Sequence, residues 1–427
     1  MKEPLTSISI FSGAMGLDIG LEKAGFQTKL AIEKWMPAVS TIRFNRPNIP
    51  IIPKPIENVT SKEILLASGI SKGEITLLAG GPSCQSFSTV GKRGSISDDR
   101  GKLFKDYCRV IKDIRPRFFI MENVPGMLSA AIKHRPLKER GPGFPEISKE
   151  EELGSAFQRI LNEFSNLGYY IIFGVINSAD YGVPQKRKRL IFLGSRDGED
   201  IKLPSPTHAL DQSNGLKPWI NLKTALRGIK AKEWVELPEK TKKYLSALKS
   251  GQNWKDLPEN WKKKAMGGAY KSWGGRSGFL RRLDWKSPAP SLITSPIGKA
   301  TMLCHPTSLR PLSVEEYACI QQFPKDYKFK GTTIQNYALI GNAVPVGIGE
   351  AIGDSIKRTI EETKKNGFTK ANEVRKGTIK CVDQELLKRF KKYKKTILPP
   401  IAHRLNKNPD LTKVWLKNGN IKEIRIA

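Results

Sequence analysis

The chain has 427 residues, 73 Lys plus Arg against 41 Asp plus Glu, and a formal net charge of +32. With 39% hydrophobic and 27% charged residues it has the balance of a globular protein of two or three domains, which excludes a disordered or collagen-like chain. Five scattered cysteines (Cys84, Cys108, Cys304, Cys319, Cys381) without a CxxC pair and four isolated histidines argue against a disulfide framework and a zinc ribbon, so no metal is expected.

The charge is far above the magnitude of roughly 2 to 8 that solubility asks of a small domain, and it points to a polyanionic partner. It is also regional: residues 200–300 hold 20 basic and 8 acidic residues (net +12) and residues 355–427 hold 20 and 7 (net +13), leaving +7 for all the rest. No apolar run approaches the roughly 18 residues that cross a bilayer, and the first residues form no signal peptide. A soluble, cytoplasmic protein with no membrane partner is the expectation.

In chain order, Ser7 to Phe11 alternates and stops at Ser12-Gly13, which predicts a strand, and Leu17 to Ala24 predicts a helix. Short apolar segments then recur at Lys29–Ile32, Ile49–Ile52, Glu74–Ala79, Phe118–Met121, Tyr170–Asn177 and Arg189–Gly194, with helical patterns near 37–45, 61–68, 102–114 and 154–167. Strands alternating with helices predict an α/β fold with a doubly wound, mostly parallel sheet, whose ligands sit at the carboxyl ends of the strands. From about residue 200 the rhythm gives way to Pro, Trp, Gly and Lys, predicting a smaller loop-rich domain. Ser313-Val314-Glu315-Glu316 is a capping box that opens a helix ending before Phe323-Pro324. The expected organisation is a sheet domain over 1–199, a loop-rich domain over 200–290, a further regular segment over 291–354 and a basic extension over 355–427.

The predicted strand ends carry the chemistry. The first runs into Phe11-Ser12-Gly13-Ala14-Met15-Gly16-Leu17, whose glycines let backbone amides approach a ligand, and Glu33, twenty residues beyond Gly13, is placed to bond ribose hydroxyls. This turn suits a nicotinamide cofactor as well as S-adenosylmethionine. The fourth strand ends in Gly80-Gly81-Pro82-Ser83-Cys84-Gln85, which sets a cysteine on an irregular loop where amides and cations favour its thiolate. The fifth runs into Glu122-Asn123-Val124. A carboxylate closing so apolar a run is expected to be partly desolvated, which suits it to share or deliver a proton. The seventh is introduced by Gln185-Lys186-Arg187-Lys188-Arg189, whose alternate arginines share one face of an extended segment.

These motifs, in this order, resemble the DNA cytosine-5 methyltransferase family of prokaryotic restriction-modification type. The resemblance covers residues 7 to about 195 and 280 to 350. It also takes in Arg100-Gly101-Lys102-Leu103-Phe104, Arg282-Leu283 with Pro290-Ser291-Leu292-Ile293-Thr294, and Gly341-Asn342-Ala343-Val344-Pro345. It implies a Rossmann-like methyltransferase sheet that takes S-adenosylmethionine and releases S-adenosylhomocysteine, with Cys84 as nucleophile on cytosine C6 and Glu122 on N3. Arg189 and Arg187 would contact the flipped base, and Asn123 would fix the Glu122 loop. Phe11, the backbone from Ser12 through Gly13, Ala14, Met15 and Gly16 to Leu17, Glu33, Asn58, Gly80, Pro82, Leu103, Asn342 and Ala343 would hold the cofactor.

The resemblance implies double-stranded DNA as substrate, with Gln85, Ser88, Lys92, Arg93, Arg276 and Arg281 touching it, and residues 200–280 as the recognition region. Gly275 to Pro306 resembles relatives acting on GG(N)CC-type sites. A monomer, with a restriction endonuclease for the same site as its partner, completes the expectation. The chain departs from the family pattern at Ser83, Lys34 and Pro55, where the third motif usually has an acid against adenine; Glu57 and Asn58 are the substitutes at hand. A tRNA cytosine-5 methyltransferase and a catalytically silent DNA-binding homologue are the alternatives.

Overall fold

Phe118, Phe119, Ile120 and Met121 are all buried to within 1%, so the strand that carries them must be covered on both faces. The computed structural model shows that cover; it describes residues 4–82, 99–133 (99–102 as backbone), 135–136, 139–140, 142–212, 215–271 and 276–387. The strands are β1 (Leu5–Ile10), β2 (Phe26–Ile32), β3 (Ile51–Ile52), β4 (Leu77–Gly80), β5 (Phe118–Asn123), β6 (Tyr170–Asn177), β7 (Gln185–Lys186), β8 (Lys188–Ser195), β9 (His208–Ala209), β10 (Lys217–Pro218), β11 (Ala289–Pro290) and β12 (Ile379–Cys381). Among the described residues one eight-stranded sheet runs β12-β6-β8-β5-β4-β1-β2-β3, and β7 pairs separately with β11.

The helices are α1 (Gly16–Lys23), α2 (Met36–Asn45), α3 (Ser61–Ser68), α4 (Asp99–Ile114), α5 (Ser155–Ser165), α6 (Leu222–Ala225), α7 (Glu239–Ser246), α8 (Glu259–Met266), α9 (Val314–Ile320), α10 (Thr333–Asn342), α11 (Val346–Asn366) and α12 (Lys370–Arg375). On one face of the sheet Phe119, Met121, Phe173 and Phe192 pack against Tyr107, Phe157 and Phe164 of α4 and α5. On the other, Phe118, Ile120, Ile191 and Leu193 meet Leu17 and Leu21 of α1 and Ile348, Ile352 and Ile356 of α11. The two-sided cover is the reason these strands read as continuous apolar runs. No described helix is long and apolar enough to cross a membrane.

The sheet is parallel except at β8, which runs antiparallel to both β5 and β6. That reversal brings the start of β8 to the carboxyl end of β5, with Leu190 opposite Asn123 and Ile191 opposite Glu122.

α1 and α11 lie close because glycines line their contact. A Cβ on Gly16 would come within 2.2 Å of the Val344 carbonyl oxygen, and one on Gly20 within 2.1 Å of that of Val346; Gly349 in turn abuts the Leu17 carbonyl and Gly353 the Ala24 methyl. The predicted capping box is formed: Ser313 N donates to Glu316 (2.7 Å) and Glu316 N to Ser313 Oγ (3.2 Å).

Two expected boundaries do not fit the packing. The one at 354/355 falls inside α11, and β12 joins the sheet beside β6, with Leu386 and Leu387 buried in its core and the Asp383 carboxylate accepting from Val175 N (3.0 Å). Residues 355–387 are therefore part of the sheet layer rather than an extension. The boundary at 290/291 cuts a small core in which Leu237, Leu245, Trp254 and Met266 pack with Leu280, Met302 and Cys304.

Candidate active site

The carboxyl ends of β1, β2, β4 and β5 and the start of β8 share one edge of the sheet, where the strand pattern placed the ligand site. After β1 the chain turns sharply, with positive φ at Phe11 (56°), Gly13 (53°) and Met15 (60°). Left-handed backbone costs roughly 1–2 kcal/mol at a non-glycine residue, and here local bonds hold it. Ser12 N donates to the Ile32 carbonyl (3.3 Å), Met15 N to the Ser12 carbonyl (2.8 Å) and Gly13 N to a Glu33 oxygen (2.8 Å). The other Glu33 oxygen accepts from Trp35 N (2.8 Å), so the carboxylate is fastened across the ends of β1 and β2.

The side chains of Ala14 and Met15 enter the core shared with α9 and α10, and the Tyr327 hydroxyl donates to the Ala14 carbonyl (3.0 Å). These two residues can therefore meet a ligand only through backbone. A Cβ on Gly13 would find nothing within 4 Å, so the turn opens onto free space beside Glu33, whose oxygens each keep a further lone pair. A Rossmann-like turn with an acid ready for two hydroxyls fits the ribose of S-adenosylmethionine. Leu103 and Ala343 are buried, and Asn342 and Asn58 are exposed. Asn58 closes a single helical turn after Pro55, whose carbonyl accepts from Asn58 N (2.9 Å).

At the end of β5, Glu122 Oε1 lies 2.5 Å from Arg189 Nε, with both side chains largely shielded (14% and 11% exposed). Its other oxygen lies against Gly81, where a Cβ would come within 2.9 Å of it. Only glycine lets the chain pass so close to the acid. Asn123, also buried, donates from Nδ2 to the Pro82 carbonyl (3.1 Å) and accepts from Val124 N (2.9 Å), tying the end of β5 to the segment that leads to Cys84. Gly80 packs on the Ile10 carbonyl of β1. Cys84, Gln85, Ser88, Lys92 and Arg93 lie outside the described residues.

The expectation that Arg187 shares the base site with Arg189 does not match the geometry. Arg187 occupies the break between β7 and β8, its carbonyl accepting from Ser178 N and Oγ (both 3.0 Å). Its guanidinium, 3% exposed, donates to the carbonyls of Leu292 (2.7 Å), Gly341 (2.8 Å) and Ala343 (3.3 Å). The alternation itself holds, with Lys186 and Lys188 exposed between Gln185, Arg187 and Arg189, but β7 runs beside β11 while β8 runs beside β5, so the two arginines meet different neighbours. Arg276 and Arg281, expected to read DNA, are also engaged internally. Arg276 donates to the Ala269 and Tyr270 carbonyls and lies 4.8 Å over the Trp254 ring, while Arg281 donates to the Met302 carbonyl (3.1 Å).

Asp18, on the first turn of α1, was not singled out by its motif. It is 2% exposed, and burial pushes its carboxyl up to about 7 despite the opposing Ser9 hydroxyl. The buried glutamines Gln185 and Gln321, bonded to each other at 2.8 Å, were likewise unmarked as a pair. The nearest signal was Gln321-Gln322 just before the Phe323-Pro324 helix stop.

The model for C-5 cytosine-specific DNA methylases matches residues 5–358. The Type II methyltransferase M.PspPI of Psychrobacter sp. is 36% identical over 372 residues, which cover 84% of this chain and 81% of that one. M.Sau96I of Staphylococcus aureus is 35% identical over 346 residues, covering 81% and 74%. The solved structure of the Entamoeba histolytica methyltransferase EhMeth superposes with a TM-score of 0.55 at 15% identity, over 84% of this chain and 99% of that one, a likeness of fold alone. Since the match runs from the first strand of the sheet into α11, which closes its far face, the chain belongs to the C-5 cytosine-specific DNA methylase family.

Proposed function

We propose that this DNA cytosine-5 methyltransferase activates its target by covalent addition of Cys84 to C6 of a cytosine turned out of duplex DNA. The observation that carries this reading is the Glu122–Arg189 pair, set against Gly81 and bound through Asn123 to the Pro82 carbonyl two residues before Cys84. Turning the base out costs a few kcal/mol. Phosphate contacts from the +12 region offset it, each adding roughly 0.9 to the slope of log affinity against log salt.

C6 of cytosine is a poor electrophile. Glu122, oriented by Arg189, hydrogen-bonds or protonates N3 and draws electron density from the ring, so that the Cys84 thiolate forms the S–C6 bond. The electron pair moves to C5, which becomes enamine-like and nucleophilic. S-adenosylmethionine, when bound, supplies the electrophilic methyl group and becomes S-adenosylhomocysteine. Loss of the C5 proton to water as base, with the N3 proton returned, re-forms the C5–C6 double bond, breaks the S–C6 bond and frees the thiolate.

Phe11 against adenine, the Ser12 to Leu17 backbone, Glu33 on the ribose, Leu103, Asn342 and Ala343 would hold the cofactor. A cytoplasmic monomer whose partner endonuclease cuts the same site belongs to the same reading. Cys84→Ser is expected to abolish methyl transfer while duplex binding survives, and normal turnover by that variant would overturn the reading. Bisulfite sequencing of a methylation-free host expressing the chain reports activity and site together, and labelled-methyl counts on duplex DNA against tRNA test the choice of substrate. Failure to trap the chain on 5-fluorocytosine DNA would favour a silent DNA-binding homologue.

A further inference from the structure

Three stretches far apart in sequence meet around buried polar side chains: Gln185 to Arg187, Pro290 to Thr294 and Ile340 to Pro345. Gln185 and Gln321 are both fully buried. Gln321 Nε2 donates to the carbonyls of Ile340 (2.6 Å) and Ala343 (3.0 Å), which leaves its Oε1 to accept from Gln185 Nε2 (2.8 Å). Gln185 Oε1 then accepts from Leu292 N (2.9 Å). Each amide is held in one orientation, because turning Gln321 over would set its oxygen against two carbonyl oxygens.

The neighbouring residue repeats the pattern. Gln322, at a φ of +63°, donates to the Gly182 carbonyl (2.9 Å) and accepts from Gly347 N (3.0 Å). The demand comes from the end of α10, where Ile340 keeps only the cap bond from Ala343 N (3.2 Å) and the carbonyls beyond it carry the helix's negative end. Gln321 and the Arg187 cation supply the missing donors.

One end of this relay touches the cofactor turn, since Val344 and Ala343 rest against Gly16 and Gly341 rests against Ile293. The other end is the run that continues from Gln185 and Arg187 into Arg189 on Glu122. We propose that Gln321 is a positioning residue that couples the cofactor turn to the target-base site, so that cofactor binding and cytosine binding strengthen each other. A ligand seated against Gly13 and Gly16 biases the 340–344 turn; Gln321 follows that turn, and Gln185 and Leu292 follow Gln321, because neither amide has an alternative partner set. By linkage the effect is reciprocal. The inference rests on the proposed function of the same site.

The test uses the full chain, S-adenosylhomocysteine as the unreactive probe and a duplex carrying the site found by bisulfite sequencing. In the native chain the probe is expected to tighten duplex binding by a factor in the range of about 5 to 150. In Gln321→Leu that factor should fall to within about twofold of one, while duplex affinity without the probe stays within about twofold of native. Gln321→Glu, which keeps the acceptor for Gln185 but sets an oxygen against both carbonyls, should lose the factor as well. A lower melting temperature with an unchanged factor would mean a structural role only and would overturn the proposal.

If Gln321→Leu fails to fold, hydrogen exchange in the native chain decides. The probe alone must slow exchange at Leu292 and across 185–193, and unchanged exchange there overturns the coupling. A native chain that binds no probe or methylates no DNA strikes the function itself. One that does both with no coupling strikes only this inference.

Discussion

Arg187 and Arg189 stand two residues apart in one run yet are held for different work, and lysine at each position separates the two. The Arg187 fork spans two elements, with Nη1 on the Leu292 carbonyl and Nη2 on that of Gly341, at 2.7 and 2.8 Å. A single ammonium cannot reach both sides. Hydrogen bonds to a charged group are worth about 1.5–3 kcal/mol each, so Arg187→Lys should lose about that much and Arg187→Met, which leaves the Leu292 and Gly341 carbonyls bare while Ala343 keeps its bond from Gln321, about 3–6 kcal/mol. Against a total stability of roughly 5–15 kcal/mol these are large losses. Arg189→Lys keeps a cation beside Glu122 but forfeits the planar fork. It should change stability by less than about 1 kcal/mol while kcat falls at least about tenfold. Urea titration at constant m gives the stabilities, and methyl transfer measured well below every midpoint gives the rates. Equal stability losses for the two lysine variants, or a stable Arg187→Lys that is catalytically dead, would refute the assignment.

Two further outcomes follow from burial. A carboxyl whose pKa is raised on folding contributes stability that is full below its unfolded pKa and lost as pH rises through the folded one, here from 3.8 to about 7 for Asp18. Above pH 7 Asp18→Asn should therefore raise the unfolding free energy read by urea titration, by an amount on the order of 4 kcal/mol at most, and leave it nearly unchanged near pH 4; a pH-independent difference would contradict the burial argument. Ending the chain after Asn366 removes β12 and the buried Ile379, Leu386 and Leu387, each worth about 1.5–3 kcal/mol in transfer terms. Even after the entropy regained, it should lower stability by at least about 2 kcal/mol, and an unchanged midpoint would show that the edge strand adds nothing.

The layered sheet was legible because burial on both faces leaves uninterrupted apolar runs such as Phe118 to Met121. The Ser313 cap was legible because its chemistry is local. The reversal of β8 was not, since strand direction leaves no mark on composition. β12 was hidden because Ile379-Lys380-Cys381 is a short edge strand within a lysine-rich stretch. At the site, Glu122 and Arg189 stood at strand ends, which the sheet brings together. Arg187 was misplaced because alternation tells which side a residue faces but not that the 292 and 341–343 carbonyls, far along the chain, cover that side at 187. Arg276 and Arg281 were read from position in the family and from composition, neither of which distinguishes a cation facing phosphate from one holding carbonyls. Gln321 escaped notice because its partners at 185, 340 and 343 meet only in the folded chain.

The glycine seam between α1 and α11 bears on chain connectivity. The helices run in the same direction, Gly16 meeting Val344, Gly20 meeting Val346 and Gly349, Ala24 meeting Gly353, and Gly25 lying near Lys357. Gly25 directly precedes Phe26, which pairs with Leu5 at the start of the sheet. The later turns of α11 thus lie beside the beginning of β1, as though the helix were the element that precedes it. Neighbourhood in space is fixed by backbone touching backbone, whereas the order of these segments along the chain is not. A chain that opened at α9 and passed from α11 into β1 by a short connection would keep every contact of this seam, so the order of these segments is not a physical requirement of the helix pair.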